Sequence, residues 1–143
     1  MIPVRDIDHV VLRVRNYDGM VRFYCDVLGA KLVAHRPKFG MAHLRVGSAM
    51  IDLVAVDGPL GRKGGAAPAS EGRNLDHFCL RVEPFDEAAI VAHLKAHGVV
   101  VGEVMRRFGA EGNGTSIYLD DPEGNVVELK GPSDGKPPPP PAG

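Results

Sequence analysis

The chain has 143 residues, a mass of 15.3 kDa and a net charge of −1, with 44% hydrophobic and 24% charged residues. That balance excludes disorder for the body of the chain, and the length supplies enough core for an ordinary domain. No 18-residue apolar run is present for a membrane helix, and no basic stripe for nucleic acid or an anionic membrane surface. The two cysteines, Cys25 and Cys79, make no disulfide framework. The opening MIPVRDIDHVV lacks the pattern of a signal peptide, so the expected compartment is the reducing cytoplasm.

Residues 6–14 alternate and are rich in β-branched residues, predicting a strand. Asn16 suits a helix N-cap. Met20, Phe23, Tyr24, Val27 and Leu28 then fall at helical spacing, and Gly29 suits a left-handed stop. Strands are predicted at 30–36, 40–47 and 49–56. The segment 57–74, DGPLGRKGGAAPASEGRN, reads as a Gly/Pro-rich linker. A strand at 75–82 leads to Pro84, expected near the first turn of a helix carrying Ala88, Ile90, Val91, Leu94 and Lys95, with Gly98 as its stop. Strands follow near 99–106, 114–120 and 125–130, the last two joined by the turn DDPEGN. The tail 132–143, with its proline run, is expected to be extended and either disordered or loosely draped.

The chain repeats itself. DHVVLRV at 8–14 and DHFCLRV at 76–82 share five of seven letters, and the helix-ending glycines 29 and 98 and the strands MIDLV and VVELK continue the correspondence. Residues 4–56 and 75–131 therefore each read as a βαβββ module, and the fold class is α+β. One helix covers only one face of four short strands, so the other face must find a matching sheet in this chain or in another subunit. Two such sheets side by side form a half-open β-cup.

Strand parity selects what lines that cup. Val10, Leu12 and Val14 suit the helix side, which leaves His9, Val11 and Arg13 for the cup. In the second copy His77, Cys79 and Arg81 take the same face. The last strands add Asp52 in one half, and Glu128 with Lys130 in the other. The repeat thus delivers His9, His77, Asp52 and Glu128 to equivalent positions. Two imidazoles with carboxylate oxygens suit one divalent ion, Zn²⁺, Ni²⁺, Co²⁺, Mn²⁺ or Fe²⁺, and not a cysteine-rich structural zinc site. Asp52, one methylene shorter than glutamate, could bind directly, bind through water or hold a neighbour. His43 reads as a flanking residue, and Cys79 as a small packing residue beside the cup. Arg13 and Arg81 either hold a substrate carboxylate or pair with surface acids, and Tyr118 overhangs the cup.

DHVVLRV followed by FYCDVLGAKLV, then LDHFCLRV, then SIYLDDPEGNVVELK, resemble the vicinal oxygen chelate superfamily of glyoxalases, extradiol dioxygenases and bleomycin-binding proteins, over about residues 4–131. YLDDPEGNVVEL is the most specific piece, and MRRFGAEGNGTSIYLDDPEGNVVEL is similar to a virulence-associated, glyoxalase-like subgroup. The resemblance implies paired βαβββ modules around one divalent metal, with His9, His77 and Glu128 matching the family's ligands and Asp52 standing where glyoxalase I has glutamate. It implies a homodimer, with modules swapped between subunits in many short members. It also implies a small-molecule substrate with vicinal oxygens, with glutathione as a candidate thiol cosubstrate. Glu128 is then the candidate catalytic base and Asp52 its counterpart. Three functions follow: a lactoylglutathione-lyase-like isomerisation, an Fe(II) extradiol-type dioxygenation, and non-catalytic drug binding of the resistance kind.

Overall fold

A computed structural model of the chain describes residues 1–137 and divides into two units, Met1–Arg73 and Asn74–Gly143. In the first, β1 (His9–Val14), α1 (Tyr17–Arg22), β2 (Lys31–Arg36), β3 (Met41–Val46) and β4 (Ala49–Ala55) build a sheet of order β1-β4-β3-β2. In the second, β5 (His77–Arg81), α2 (Glu87–Ala96), β6 (Val101–Gly109), β7 (Gly112–Asp120) and β8 (Val126–Lys130) build a sheet of order β5-β8-β7-β6. In both sheets the first and last strands pair in parallel and the others are antiparallel. The two βαβββ modules expected from the repeat are present, and the fold is α+β with neither sheet closed. Among the described residues no helix is long and apolar enough to cross a membrane.

Each unit has an apolar face and a polar one. In the first, Met20, Phe23 and Tyr24 from the helical segment and Leu12, Val14, Leu44, Ile51 and Leu53 from the strands are buried. At roughly 1.5–3 kcal/mol for each fully buried side chain, this layer stabilises the unit and leaves the opposite face free for polar groups. Asn16 caps the helix as expected, its side-chain oxygen accepting from the Gly19 N–H at 3.1 Å. Past Arg22 the helix widens to an i→i+5 pattern, with the Leu28 N–H on the Phe23 carbonyl at 3.3 Å, and Gly29 ends it at φ 73°. In the second unit the layer is Leu94 with Ile117, Leu119, Val127 and Leu129. Here Pro84 is not in the first helical turn. It precedes the helix, after a cis Glu83–Pro84 bond, and the cap is Asp86, whose carboxylate accepts from the Ala89 N–H at 3.0 Å. An acidic oxygen satisfies the first free N–H groups better than a proline, which only lacks one.

Part of the segment read as a linker folds back on the first unit. Gly61–Gly64 form a 3₁₀ turn, and Arg13 from β1 reaches into it. The guanidinium donates to the carbonyls of Gly61 (2.9 Å), Gly64 (3.1 Å), Gly65 (2.6 Å) and Ala66 (3.1 Å), and Arg15 donates to that of Pro68. A Cβ at Gly64 would collide with this guanidinium, and one at Gly61 with the Ala55 carbonyl, so close approach rather than looseness explains these two glycines.

The expected tail begins against the second unit. The Asp134 N–H donates to the Asn113 carbonyl at 2.7 Å, Asn113 Nδ2 donates to the Pro137 carbonyl at 3.0 Å, and Arg106 holds the Asp134 carboxylate through two bonds of 2.5 and 3.0 Å. Residues 138–143 of that tail lie outside the described residues.

Replacing Arg13 by alanine should leave four carbonyls without their donor and destabilise the first unit by about 1–3 kcal/mol, with faster amide exchange over 61–66 by mass spectrometry. The Arg106 hydrogen bonds hold the Asp134 carboxyl well below its ordinary value of 3.8. A depressed carboxyl contributes above its unfolded pKa and loses that contribution as pH falls through the folded one. Protection of the Asp134 amide should therefore be flat from neutral pH to about 4 and fall only in stronger acid, and Arg106→Ala should remove it at neutral pH.

Candidate functional site

In the second unit, Cys79 pairs with Glu128 across β5–β8 and Tyr118 with Glu128 across β7–β8. The Cβ atoms of paired residues point to the same side of a sheet, so this register gathers His77, Cys79, Ser116, Tyr118, Glu128 and Lys130 on the polar face. Glu128 is only 5% exposed. Its two oxygens are treated differently. Oε1 accepts from the Ser116 hydroxyl at 2.5 Å, and Oε2 lies 3.2 Å from His77 Nε2. On its other side the His77 ring places Nδ1 2.6 Å from the Asp76 carboxylate. That carboxylate can only accept, so Nδ1 carries a proton there. A ring carrying that proton alone presents a bare Nε2 lone pair to the lone pairs of Oε2. Two acceptors face each other across a gap that a proton or a cation fills.

The first unit repeats this arrangement with changes. His9 Nδ1 lies 2.6 Å from Asp8 Oδ1, a bond that pulls the His9 pKa up, with the Asp52 charge adding to it. Asp52 is 3% exposed. His43, paired with it across β3–β4, places Nδ1 2.9 Å from Oδ1. The orientation of this contact is not that of a hydrogen bond, and the buried Oδ1 has no donor among the described residues. An orphaned buried carboxylate oxygen is costly unless a cation or proton meets it.

His43 and Ser116 are the residues that sequence reasoning undervalued. His43 stands at the repeat position that Tyr118 occupies in the second unit, opposite the carboxylate in both cases. Aligning the third strands of the two halves would have exposed it. Ser116 was legible only as a neighbour in parity of Tyr118, and nothing in its own spacing marks it.

The remaining candidates are distributed as follows. Arg13 is spent on the loop carbonyls described above. Arg81 pairs with Glu111. Tyr118 stands edge-on to the His77 ring, with centroids 5.6 Å apart and planes at 77°, and Arg107 donates to its hydroxyl at 3.3 Å. Burial, as the largest cause, pushes the Tyr118 phenol up. Cys79 lines a cavity of about 320 Å³ together with His77, Arg81, Glu111, Glu128 and Lys130. Burial there, and then the Glu128 charge, push its thiol up to about 11, so it is neutral at physiological pH and a poor nucleophile.

Within neither unit, among the described residues, do three His, Cys, Asp or Glu side chains converge into a group able to hold an ion. The expected set is present as a His77–Glu128 pair in one unit and as Asp52, with His43 and His9 on its face, in the other. The pair fits a cation. Bonds of about 2.0–2.2 Å from a divalent ion to nitrogen and oxygen set adjacent ligand atoms about 3 Å apart, and a carboxylate on the far ring nitrogen is the usual orienting partner of a ligating histidine.

The sequence model of the Glyoxalase/Bleomycin resistance protein/Dioxygenase superfamily matches residues 6–129. The chain belongs to this superfamily. Among superfamily relatives, the virulence protein STM3117 of Salmonella typhimurium is 31% identical over 124 residues, which cover 86% of this chain and 81% of that protein. Its crystal structure superposes with a TM-score of 0.72 over 92% of this chain and 99% of that one, at 26% identity. A probable lactoylglutathione lyase of Synechocystis is 28% identical over 85% of this chain and 91% of its own length. The catechol-2,3-dioxygenase of Bacillus subtilis is 25% identical over 86% of this chain, which spans 40% of that protein's length.

Ser116→Ala should strip the buried Oε1 of Glu128 of its donor. The expected cost is about 1–3 kcal/mol, read as a lower urea midpoint at unchanged slope, with the fold retained by circular dichroism.

Proposed function

We propose that this chain is a divalent-metal-dependent enzyme of the glyoxalase type, isomerising a small substrate with vicinal oxygens. The observation that carries this reading is the 3.2 Å approach of His77 Nε2 to the buried Glu128 Oε2, with the ring proton drawn to Asp76. The proposed ligands are His77 and Glu128 with His9 and Asp52, contributed by two modules of one chain or of a homodimer. When bound, the ion supplies Lewis acidity toward the two adjacent substrate oxygens.

The chain's own residues supply the rest. Asp76 and Asp8 fix the tautomer of His77 and His9. Ser116 anchors Glu128 by one oxygen, so the other can pivot without the carboxylate leaving the site. Glu128 Oε2 takes the proton from the carbon bearing the substrate hydroxyl and returns it to the neighbouring carbonyl carbon, while the hydroxyl proton passes from the first oxygen to the second, so the step is redox-neutral overall. Asp52 is the counterpart carboxylate on the opposite module. The neutral Cys79 and the Tyr118 ring line the site without entering the proton transfer. The lactoylglutathione lyases among the relatives support a hemithioacetal of glutathione as the substrate to try first.

Metal analysis of the purified chain, dialysed after incubation with Zn²⁺, Ni²⁺, Co²⁺, Mn²⁺ or anaerobic Fe²⁺, tests the reading. About one tightly held ion per chain is expected, and His77→Ala should lose most of it. Glu128→Gln should lower isomerase turnover at least 100-fold. Retention of no ion by the wild type would sink the proposal, and oxygen-labile iron with ring-cleaving activity would replace it with the dioxygenase reading.

A further inference from the structure

The first unit holds a buried acid with one oxygen unmet. Asp52 stands on β4, and its Oδ1 has no hydrogen-bond donor among the described residues. In the second unit Glu128 reaches His77, which lies opposite Val126, two positions along from Glu128. His9 stands in the same diagonal relation to Asp52, opposite Met50. Aspartate is one methylene shorter, and the ion pair His9 makes is with Asp8. The residue directly opposite Asp52 is His43 on β3. Directly opposed side chains start about 4.5–5.5 Å apart at Cβ and diagonal ones about 7–8 Å apart, so the shorter acid reaches across but not along. His43 Nδ1 accordingly lies 2.9 Å from Asp52 Oδ1. The two atoms are close without being hydrogen-bonded, because the ring nitrogen is not aimed at the oxygen. Donors at adjacent positions around one ion stand in this way. Each lone pair points at the ion and not at its neighbour, and bonds of about 2.0–2.2 Å leave the two atoms about 3 Å apart.

We infer that His43 is a further ligand of the divalent ion, binding through Nδ1 beside Asp52 Oδ1. The inference rests on the proposed function for the ion itself and departs from its ligand set, in which His9 alone accompanies Asp52 in the first unit. Between the two halves, the imidazole that meets the acid changes from the first strand to the third. The ligating nitrogen changes with it, from Nε2 to Nδ1. Asp76 holds the His77 ring proton on Nδ1, which leaves Nε2 as the donor. No hydrogen bond fixes a proton on His43 Nδ1 among the described residues, so that nitrogen is open to a cation and Nε2 carries the proton. An ion there would also meet the buried Oδ1, whose lack of a partner is otherwise costly.

Long-range ¹H–¹⁵N spectra of the labelled full chain, recorded before and after one equivalent of Zn²⁺, read each imidazole nitrogen separately. The ring missing from His43→Gln assigns His43. Zn²⁺ should move His43 Nδ1, with the proton left on Nε2, and His77 Nε2, with the proton left on Nδ1. In competition with a chromophoric chelator, His43→Gln should bind Zn²⁺ at least tenfold more weakly than the wild type. His35→Gln should bind it unchanged, because His35 stacks on Tyr17 and lies one residue out of phase with His43 across β2–β3, on the opposite face. Melting temperatures check each variant for a folding defect, and the wild-type spectrum decides where a variant melts early. A shift at His77 alone, with His43 left as an ordinary ion-pair partner of Asp52, overturns the inference and leaves the metal reading standing. A shift at His43 alone upholds it and removes His77 from the ligand set. No shift at either ring overturns both.

Discussion

A carboxylate held out of water organises the second module. Glu128 lies on the polar face of its sheet, and an ionised carboxylate there must be met by donors or cations. Ser116 meets one oxygen and His77 faces the other, while Asp76 holds the far side of that ring. Ser116 comes from β7, and His77 with Asp76 from the start of β5, so the sheet's pairing register is what brings them to Glu128 on β8. A one-residue slip of β8 would send Glu128 to the apolar face and Leu129 to the polar one. The apolar layer under the sheet, with Val127 and Leu129 on alternate positions, opposes that slip.

The first module keeps the plan and alters the parts. Asp52 replaces the longer glutamate, His43 stands where Tyr118 does, and Val11 where Cys79 does. A shorter acid with an undonated oxygen and an added imidazole is a different electrostatic environment from Glu128 with its serine. The two halves are therefore not interchangeable, although their topology is the same.

Arginine use divides in the same way. Arg13 and Arg81 occupy the same place in the repeat, yet one is absorbed by four backbone carbonyls and the other by a surface glutamate. A guanidinium has five donors in a fixed fork and binds wherever several acceptors gather. The returning loop of 61–66 supplies such acceptors, so Arg13 became a fastener. A lysine has no such fork, and Lys130 lines the cavity beside Glu128.

The duplication, the α+β class, the βαβββ element order, and the parity that puts His77 and Glu128 on one face were all legible in the residues. They depend on periodicity and repetition, which are local properties of a chain. Read in the same way, Pro84 was misplaced by three residues, because a cap is chosen by which side chain reaches the free N–H groups. The glycines of 57–65 looked like slack, because composition does not distinguish a flexible glycine from one crowded by a neighbour. Ser116 on Glu128, His43 beside Asp52 and the loop carbonyls around Arg13 were decided only in three dimensions. Each depends on which strands become neighbours and how deeply their shared face is buried, and those are long-range properties that no short window of sequence contains.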